Sequence, residues 1–194
     1  MTTTWIIVGV IAVVAIYAVA TYNAFVKLTQ RAIEAWADID VQLKRRYDLI
    51  PNLIETVKGY AAHERETFDA VVAARAAATQ INVDASNISA EQIAMVAGAE
   101  DALGGALGKL MAIAEAYPDL KANQNFSELQ TELSDTENKI QAARRFYNTN
   151  VRDLAIKLQS FPSNIIGNMF GFKEQEYFEL DEDSEERDVV KVDF

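Results

Sequence analysis

The pattern of hydrophobic and polar residues changes character within one uninterrupted stretch near the N-terminus. Residues 5–22 contain no charged side chain, whereas a periodic mixture of apolar and charged residues begins at Lys27 and continues to Tyr47. No glycine or proline lies between Val10 and Ile50, so nothing in that stretch should end a helix. At about 1.5 Å per residue, the pattern predicts one rod roughly 60 Å long that leaves a membrane and becomes the first helix of a folded domain.

The uncharged segment has the length of a membrane-spanning helix. Residues 5–22 would extend about 27 Å, close to the roughly 30 Å hydrocarbon core of a bilayer. Trp5 and Tyr22 stand at its two ends, where aromatic rings favour the membrane interface. A cleaved signal peptide is the main alternative, because Ala18-Val19-Ala20 resembles a cleavage site, but no positive charge precedes the segment. A buried core helix of a soluble protein is the third interpretation.

The charges beside the segment predict its orientation. Lys27 and Arg31 follow it and no basic residue precedes it. Because basic residues favour the cytoplasmic side, we expect a single-pass protein of the inner (plasma) membrane. Its N-terminus would lie outside and its large domain in the cytoplasm.

Apolar stripes predict two helices in the first half of the domain. Pro51 is expected to interrupt the first and to open the second, because the residue before a proline disfavours helical geometry. The second helix should end near Thr79, before a polar loop at residues 81–89. The two stripes are Phe25, Leu28, Ala32, Trp36, Ile39, Leu43 and Tyr47, and then Ile54, Val57, Ala61, Phe68, Val71 and Arg75.

Two further helices follow the polar loop. Ser89 and Gln92 match a capping box at the start of the third helix, which should end at residues 117–119. The fourth helix is predicted from about Asn125 to Ser160. The stripes are Ile93, Val96, Leu103, Leu107, Leu110 and Ala114, and then Phe126, Leu129, Leu133, Ile140, Ala143, Tyr147, Val151, Leu154 and Leu158.

Short connections between these helices predict an all-α fold, in which the membrane helix continues into an antiparallel up-down four-helix bundle with coiled-coil-like packing. Because successive helices of such a bundle run in opposite directions, the end of the fourth helix should face the membrane. The apolar residues 161–172 come next and predict a short C-terminal helix with Ser163 as its cap. That helix either covers the bottom of the core, which we favour because it has no basic face, or rests among lipid headgroups.

Most of the net charge of −11 belongs to the C-terminal end of the chain. Residues 1–173 carry a balance of −3, and residues 174–194 carry −8. We therefore divide the chain into a membrane anchor (1–22), a helical bundle (23–172) and an acidic tail (173–194). Such a tail repels nucleic acid, and no basic stripe with interleaved aromatic residues is present, so a nucleic-acid partner is not expected.

The residues needed for catalysis or metal binding are scarce. The chain has no cysteine, which excludes disulfides, thiolate metal sites and cysteine nucleophiles. Its one histidine, His63, stands beside Glu64 and Glu66 in the predicted second helix but has no metal-ligating residue four positions away. We predict no catalytic, cofactor-binding or metal-ligating residues, no cofactor and no enzymatic activity.

Two local clusters invite a functional interpretation. Gly104, Gly105 and Gly108 follow no predicted strand, so they do not form a nucleotide-binding loop. With nearby small residues they would let another helix approach closely, within the bundle or from another subunit; these residues are Gly98, Ala97, Ala99, Ala102 and Ala106. The cations at residues 44–46 are expected at a tight turn far from the membrane, where the helix dipole favours positive charge, rather than at an anion site.

Four segments of the chain closely resemble the LemA family, and the resemblance extends over about residues 22–194. The segments are AWADIDVQLKRRYDLIPNLIETVKGYAAHE (35–64), AEAYPDLKANQNFSELQTEL (114–133), TENKIQAARRFYNTNVRDL (136–154) and SFPSNIIGNMFGFKEQEYFE (160–179), and the closing KVDF is also similar to the family's usual ending. The resemblance implies one N-terminal membrane helix with a mostly helical cytoplasmic bundle. It implies no catalytic residues, because no activity is established for the family, and some relatives are associated with magnetosome membrane formation.

Two hypotheses of different classes follow. The first is a structural protein, a membrane-anchored bundle that forms a homo-oligomer and organises or shapes the bilayer. The second is a tethered adaptor that docks a soluble enzyme or a membrane protease through the acidic tail and residues 43–53, LKRRYDLIPNL. Particle size in mild detergent separates the two hypotheses.

Overall fold

The computed structural model describes residues 1–86 and 88–178, and within them six helices and no strand. The all-helical class with a long apolar N-terminal helix is therefore confirmed. The helices are α1 (Thr2–Lys58), α2 (Arg65–Gln80), α3 (Ala90–Glu115), α4 (Pro118–Lys121), α5 (Gln124–Gln159) and α6 (Ser163–Met169).

The long helix α1 does not end at Pro51. It continues to Lys58, and the chain turns at residues 59–64 instead, so that α2 begins at Arg65. The predicted break at Pro51 is wrong, and so is the predicted start of the second helix. The basic residues 44–46 consequently lie inside α1 rather than at a turn.

The helix continues through Pro51 because another helix replaces the hydrogen bond that proline removes. Proline has no N–H to donate to the carbonyl four residues earlier, which here belongs to Tyr47. The Nε–H of Arg75 on α2 donates to that carbonyl oxygen at 2.7 Å. The freed acceptor is therefore satisfied, and the cost of a proline inside a helix is reduced.

The domain portion of α1 packs along α5 in the antiparallel direction. The Trp36 ring meets the Tyr147 ring at 5.4 Å, and Arg46 donates to Glu137 at 2.5 Å, so residue numbers rise along one helix as they fall along the other. The shorter helices α2 and α3 pack against each other. Side chains from α1, α2, α3 and α5 form two apolar clusters, one around Trp36 and Ile140 and the other around Leu53 and Leu110.

The predicted apolar stripes form this core. Six large members that the periodicity assigns to it are buried on the three helices α1, α3 and α5: Trp36, Leu43, Ile54, Leu110, Leu133 and Ile140. Burial of each side chain removes apolar surface from water, which stabilises the fold by about 25 cal/mol per Å² buried. The register of the sequence pattern is thus confirmed, although the boundary between the first two helices is not.

Side-chain caps fix the starts of α3 and α5. Ser89 Oγ accepts from the Gln92 backbone N–H at 3.2 Å while the Gln92 side chain accepts from the Ser89 N–H at 3.0 Å, which confirms the capping box. Asn123 Oδ1 accepts from the Phe126 N–H at 3.1 Å at the start of α5. Ser163 does not cap α6, contrary to the prediction, because its hydroxyl donates back to the carbonyl of Lys157 at 2.7 Å.

The chain after α6 folds back onto the domain. Asn148 on α5 holds Phe178 by both backbone groups, accepting from its N–H at 2.8 Å and donating to its carbonyl at 3.0 Å. The Phe178 ring is buried against Trp36, with the Arg144 guanidinium 4.5 Å from its centre. The rest of the predicted acidic tail, residues 179–194, lies outside the described residues, and the domain limits remain predictions.

Candidate functional site

The first candidate site is the junction between the apolar part of α1 and the folded domain. The rings of Tyr22 and Phe25, one turn apart on α1, meet two rings from the end of α6. Tyr22 lies 4.8 Å from Phe170 and 5.6 Å from Phe172, and Phe25 stacks on Phe172 at 5.0 Å. Edge and stacked ring pairs each add about 0.5–1.5 kcal/mol to the stabilisation from burying their surface, so this cluster fixes the end of α6 to α1 where its apolar part meets the domain.

Gly167 allows α6 to approach the junction closely. A Cβ atom at this position would lie 2.8 Å from Leu158 Cδ2 and 3.1 Å from Phe25 Cζ. A larger residue here would therefore require the Leu158 side chain to move away, whereas glycine allows the contact as it stands. One face of α6 therefore covers the bottom of the core, as the sequence led us to favour.

The second candidate is a buried charge cluster in the middle of the domain. Arg46 on α1 forms an ion pair with Glu100 on α3 and donates to Glu137 on α5 at 2.5 Å. Tyr47 donates its hydroxyl to the second oxygen of Glu100, also at 2.5 Å. Arg46 and Glu100 are both buried, so the cluster links three helices by hydrogen bonds that only one relative register allows.

This cluster is structural in character and was missed by the sequence analysis. Burial and the nearby Glu100 carboxylate raise the pKa of the Tyr47 hydroxyl well above its usual range. Tyr47 therefore stays protonated as a donor at neutral pH, rather than acting as a base. Arg46, the last of the predicted turn cations, is directed into the core, and of that triplet only Lys44 and Arg45 face solvent.

A groove of about 280 Å³ lies beside the charge cluster. Trp36, Leu43 and Val96 contribute apolar walls. Asp40 and Lys44 line it as well and give it charges of both signs. Its volume is near the lower end of small-molecule pockets, which are about 300–1,000 Å³.

The glycines of α3 face outward. A Cβ atom added at Gly98, Gly104, Gly105 or Gly108 would have no atom within 4 Å. Of the two alternatives that the sequence leaves open, close approach by another helix of the same bundle does not occur at these glycines among the described residues, and approach by another subunit remains a prediction. Among the alanines grouped with them, Ala97 and Ala106 are buried, Ala99 is half-buried and Ala102 is exposed.

The single histidine is not part of a candidate site. His63 is exposed in the turn before α2, rather than within a helix as predicted. Within residues 1–86 and 88–178, no three histidine, aspartate or glutamate side chains come together in a way that could hold a metal ion. The prediction that the chain has no catalytic, cofactor-binding or metal-ligating residues remains a prediction.

Comparison with known proteins identifies related sequences. A sequence model of the LemA family matches residues 35–194. The chain is 27% identical to Magnetosome protein MamQ 2 and to MamQ 1 of Paramagnetospirillum magneticum, over 89% of this chain and 71% of each relative. It is 27% identical to Magnetosome protein MamQ of Magnetospirillum gryphiswaldense, over 81% of this chain and 64% of that one. It is 29% identical to Protein LemA of Metamycoplasma hominis, over 63% of this chain and 52% of the relative.

Proposed function

This chain belongs to the LemA family, and we propose that it is a non-enzymatic, membrane-anchored helical protein that assembles with copies of itself and organises or shapes the membrane. The bilayer and other copies of the chain are its principal partners. Similarity to magnetosome proteins is in keeping with work at a membrane compartment. The domain is an up-down four-helix bundle on the cytoplasmic side of the inner membrane, with the N-terminus outside.

The observation that carries the proposal is the exposure of the first third of α1. Every residue from Met1 to Tyr17 is exposed, including Trp5 at 74% and Ile16 at 70%. This is the one helix in the described part of the chain that is long and apolar enough to cross a membrane. A helix that is apolar all round needs an apolar surrounding, and the domain does not supply it, which argues against a soluble core helix.

The continuity of α1 gives the anchor a mechanical role. The same helix enters the domain without a break, and Phe25, Ala32 and Trp36 on it are buried. A turn or flexible linker would let the domain move independently, whereas a continuous helix passes the tilt of the membrane segment directly to the domain. This rigidity suits a protein that orders or bends a bilayer.

The outward face of α3 supports self-assembly. Gly98, Gly105 and Gly108 have open space in front of them, and small side chains let helix backbones approach closely. From Ala90 to Glu115, only four exposed side chains carry a charge: Glu91, Asp101, Lys109 and Glu115. We propose that this face, together with the membrane segment of α1, forms the contact between subunits.

The test is the particle mass of the full chain in mild detergent, measured by light scattering. Gly105→Leu should reduce an oligomer to monomers without lowering the urea midpoint, because the position is open within the subunit and leucine favours a helix more than glycine does. Ala142→Leu, a matched substitution at an exposed site on α5, should leave the oligomer intact. A monomeric wild-type protein would contradict self-assembly.

That contradiction would favour the second candidate function, a tethered adaptor for a soluble enzyme or a membrane protease. The groove between Trp36, Lys44 and Val96 supports it, since an apolar floor with charges at its edge can hold a side chain of a partner. The sequence motif LKRRYDLIPNL gives weaker support to an adaptor, because it lies inside α1 rather than at an exposed tip. Four of its residues are buried in the core: Leu43, Arg46, Ile50 and Leu53.

A further inference from the structure

We propose that α6 is a second membrane contact, whose outward face lies in the interfacial region of the bilayer that α1 crosses. This inference rests on the proposed membrane anchor and goes beyond it. The occupant of the face is lipid, at the boundary between headgroups and acyl chains. The domain would then touch the membrane at the root of α1 and again through α6.

The two faces of α6 differ sharply. Gly167 lies against Leu158 and Phe25, as described above. On the other side, Ile165 and Met169 lie one turn apart on α6, and Phe161 lies just before its N-cap residue, Pro162; these three apolar residues are called the stripe below. They are 81%, 51% and 68% exposed, so large apolar groups face away from the domain without cover from the described residues.

The depth of this stripe follows from Tyr22. At about 1.5 Å per residue, Trp5 and Tyr22 are separated by roughly 26 Å along α1, close to the thickness of the hydrocarbon core. Tyr22 therefore lies at the interface on the domain side. The Phe170 ring, itself 56% exposed, is 4.8 Å from the Tyr22 ring, and this places the end of α6 at the same level.

Charge also favours lipid as the occupant. The segment of α6, SNIIGNM, contains no charged residue. Three lysines surround the junction: Lys27 and Lys173 are exposed, and Lys157 Nζ lies 5.8 Å from the Phe25 ring. Lysine side chains of this kind extend their apolar stems along a membrane surface while the ammonium group reaches headgroup phosphates. The nearest described carboxylate on this segment, Glu174, accepts a hydrogen bond from Gln159 at 3.0 Å.

A second contact would constrain how the domain stands on the membrane. A single helix can rotate about its own axis in a bilayer, which leaves the direction of the α3 face undefined. With α6 inserted beside it, the end of α5 is held at the surface as well, and the domain keeps one side toward the lipid.

The absence of cysteine in the natural chain allows a direct test with single-cysteine variants of the full protein. Met169→Cys is labelled with an environment-sensitive fluorophore, and the protein is placed in phosphatidylcholine–phosphatidylglycerol vesicles that contain nitroxide-bearing lipid. Val19→Cys marks the membrane segment, and Ala62→Cys marks an exposed turn far from it. We expect the loss of fluorescence at Met169 to be closer to that at Val19 than to that at Ala62.

The outcomes separate the two proposals. If a label at Val19 is strongly quenched but a label at Met169 is quenched no more than one at Ala62, the α6 contact is overturned and the proposed anchor still stands. No quenching at Val19 would overturn both. As a second measurement, Ile165→Glu should reduce quenching of a label at Phe161→Cys, since it puts a charge into the middle of the stripe; unchanged quenching there would also contradict the inference.

Discussion

The side chain of Arg75 donates its Nε–H to the backbone carbonyl of Tyr47 at 2.7 Å. That carbonyl is the one that Pro51 leaves without its helical partner. A residue on α2 thereby supports the continuation of α1 through Pro51 to Lys58, within the folded domain.

A double-mutant cycle tests this relationship. Arg75→Met should lower the free energy of unfolding by about 1.5–3 kcal/mol, the range for a hydrogen bond to a charged group. In a Pro51→Ala background the same substitution should cost less, because the alanine N–H can bond to Tyr47 itself. Urea unfolding of the four variants gives the coupling energy. Equal costs in both backgrounds would show that Arg75 does not compensate for the proline.

Removing one partner of the buried pair of Arg46 and Glu100 should destabilise the domain strongly, whereas replacing both by apolar residues should destabilise it much less. Glu100→Ala leaves the guanidinium without one buried partner, and we expect a loss on the order of 3 kcal/mol. Arg46→Met combined with Glu100→Leu should recover most of that loss, because neither charge then remains buried.

The matched control for this pair is an ion pair of the same chemistry at the surface. Arg45 and Glu132 are 3.7 Å apart, with about half of each side chain exposed, and Glu132→Ala should cost about 0–1 kcal/mol. Similar unfolding midpoints for Glu100→Ala and Glu132→Ala would contradict the proposed importance of the buried pair.

Removing a core side chain should destabilise the domain far more than removing an exposed one of similar size. Ile140 is fully buried and Ile156, on the same helix α5, is 55% exposed. Ile140→Ala should cost about 2–5 kcal/mol, and Ile156→Ala should change stability by no more than about 0.5 kcal/mol. Urea melts that gave both variants the same midpoint would show that the register of α5 is misassigned.

The stability of the domain should fall in alkaline solution. Burial raises the pKa of Tyr147 above its usual value of 10.0 and, together with Glu100, does the same for Tyr47. The unfolded chain therefore releases these protons first as the pH rises. The stabilisation is complete below about pH 10 and is lost above it.

The measurement is the slope of unfolding free energy against pH between about pH 8 and pH 11. Tyr147→Phe removes one titrating group and should make the slope shallower. Tyr177→Phe, at a ring that is 39% exposed, is measured in parallel to subtract the effects of other groups. Equal slopes for the two variants would contradict a buried, protonated Tyr147.

The sequence was sufficient for features that local patterns encode. The positions of Trp36, Leu110 and Ile140 in the core follow from apolar periodicity, which depends only on near neighbours along the chain. The capping box of Ser89 and Gln92 was equally visible, because both partners lie within one turn.

Features that depend on distant partners could not be predicted in this way. The continuation of α1 through Pro51 requires Arg75, and the burial of Arg46 requires Glu100, 54 residues further along the chain. Phe178 is a core residue in a segment without regular secondary structure, which has no helical periodicity to reveal it. The two hydrogen bonds between Asn148 and the Phe178 backbone could not be predicted either, because asparagine on a helix most often faces solvent.

The most direct test of the central claim is the intact mass of the protein from carbonate-washed membranes. If α1 is a retained anchor that runs into the domain, the measured mass must correspond to a chain that begins at Met1 or Thr2 and keeps its C-terminus. All of the protein should then stay in the membrane pellet. A protein that begins at Thr21 and is released in soluble form would contradict the claim, because the uncharged segment would then be a cleaved signal peptide.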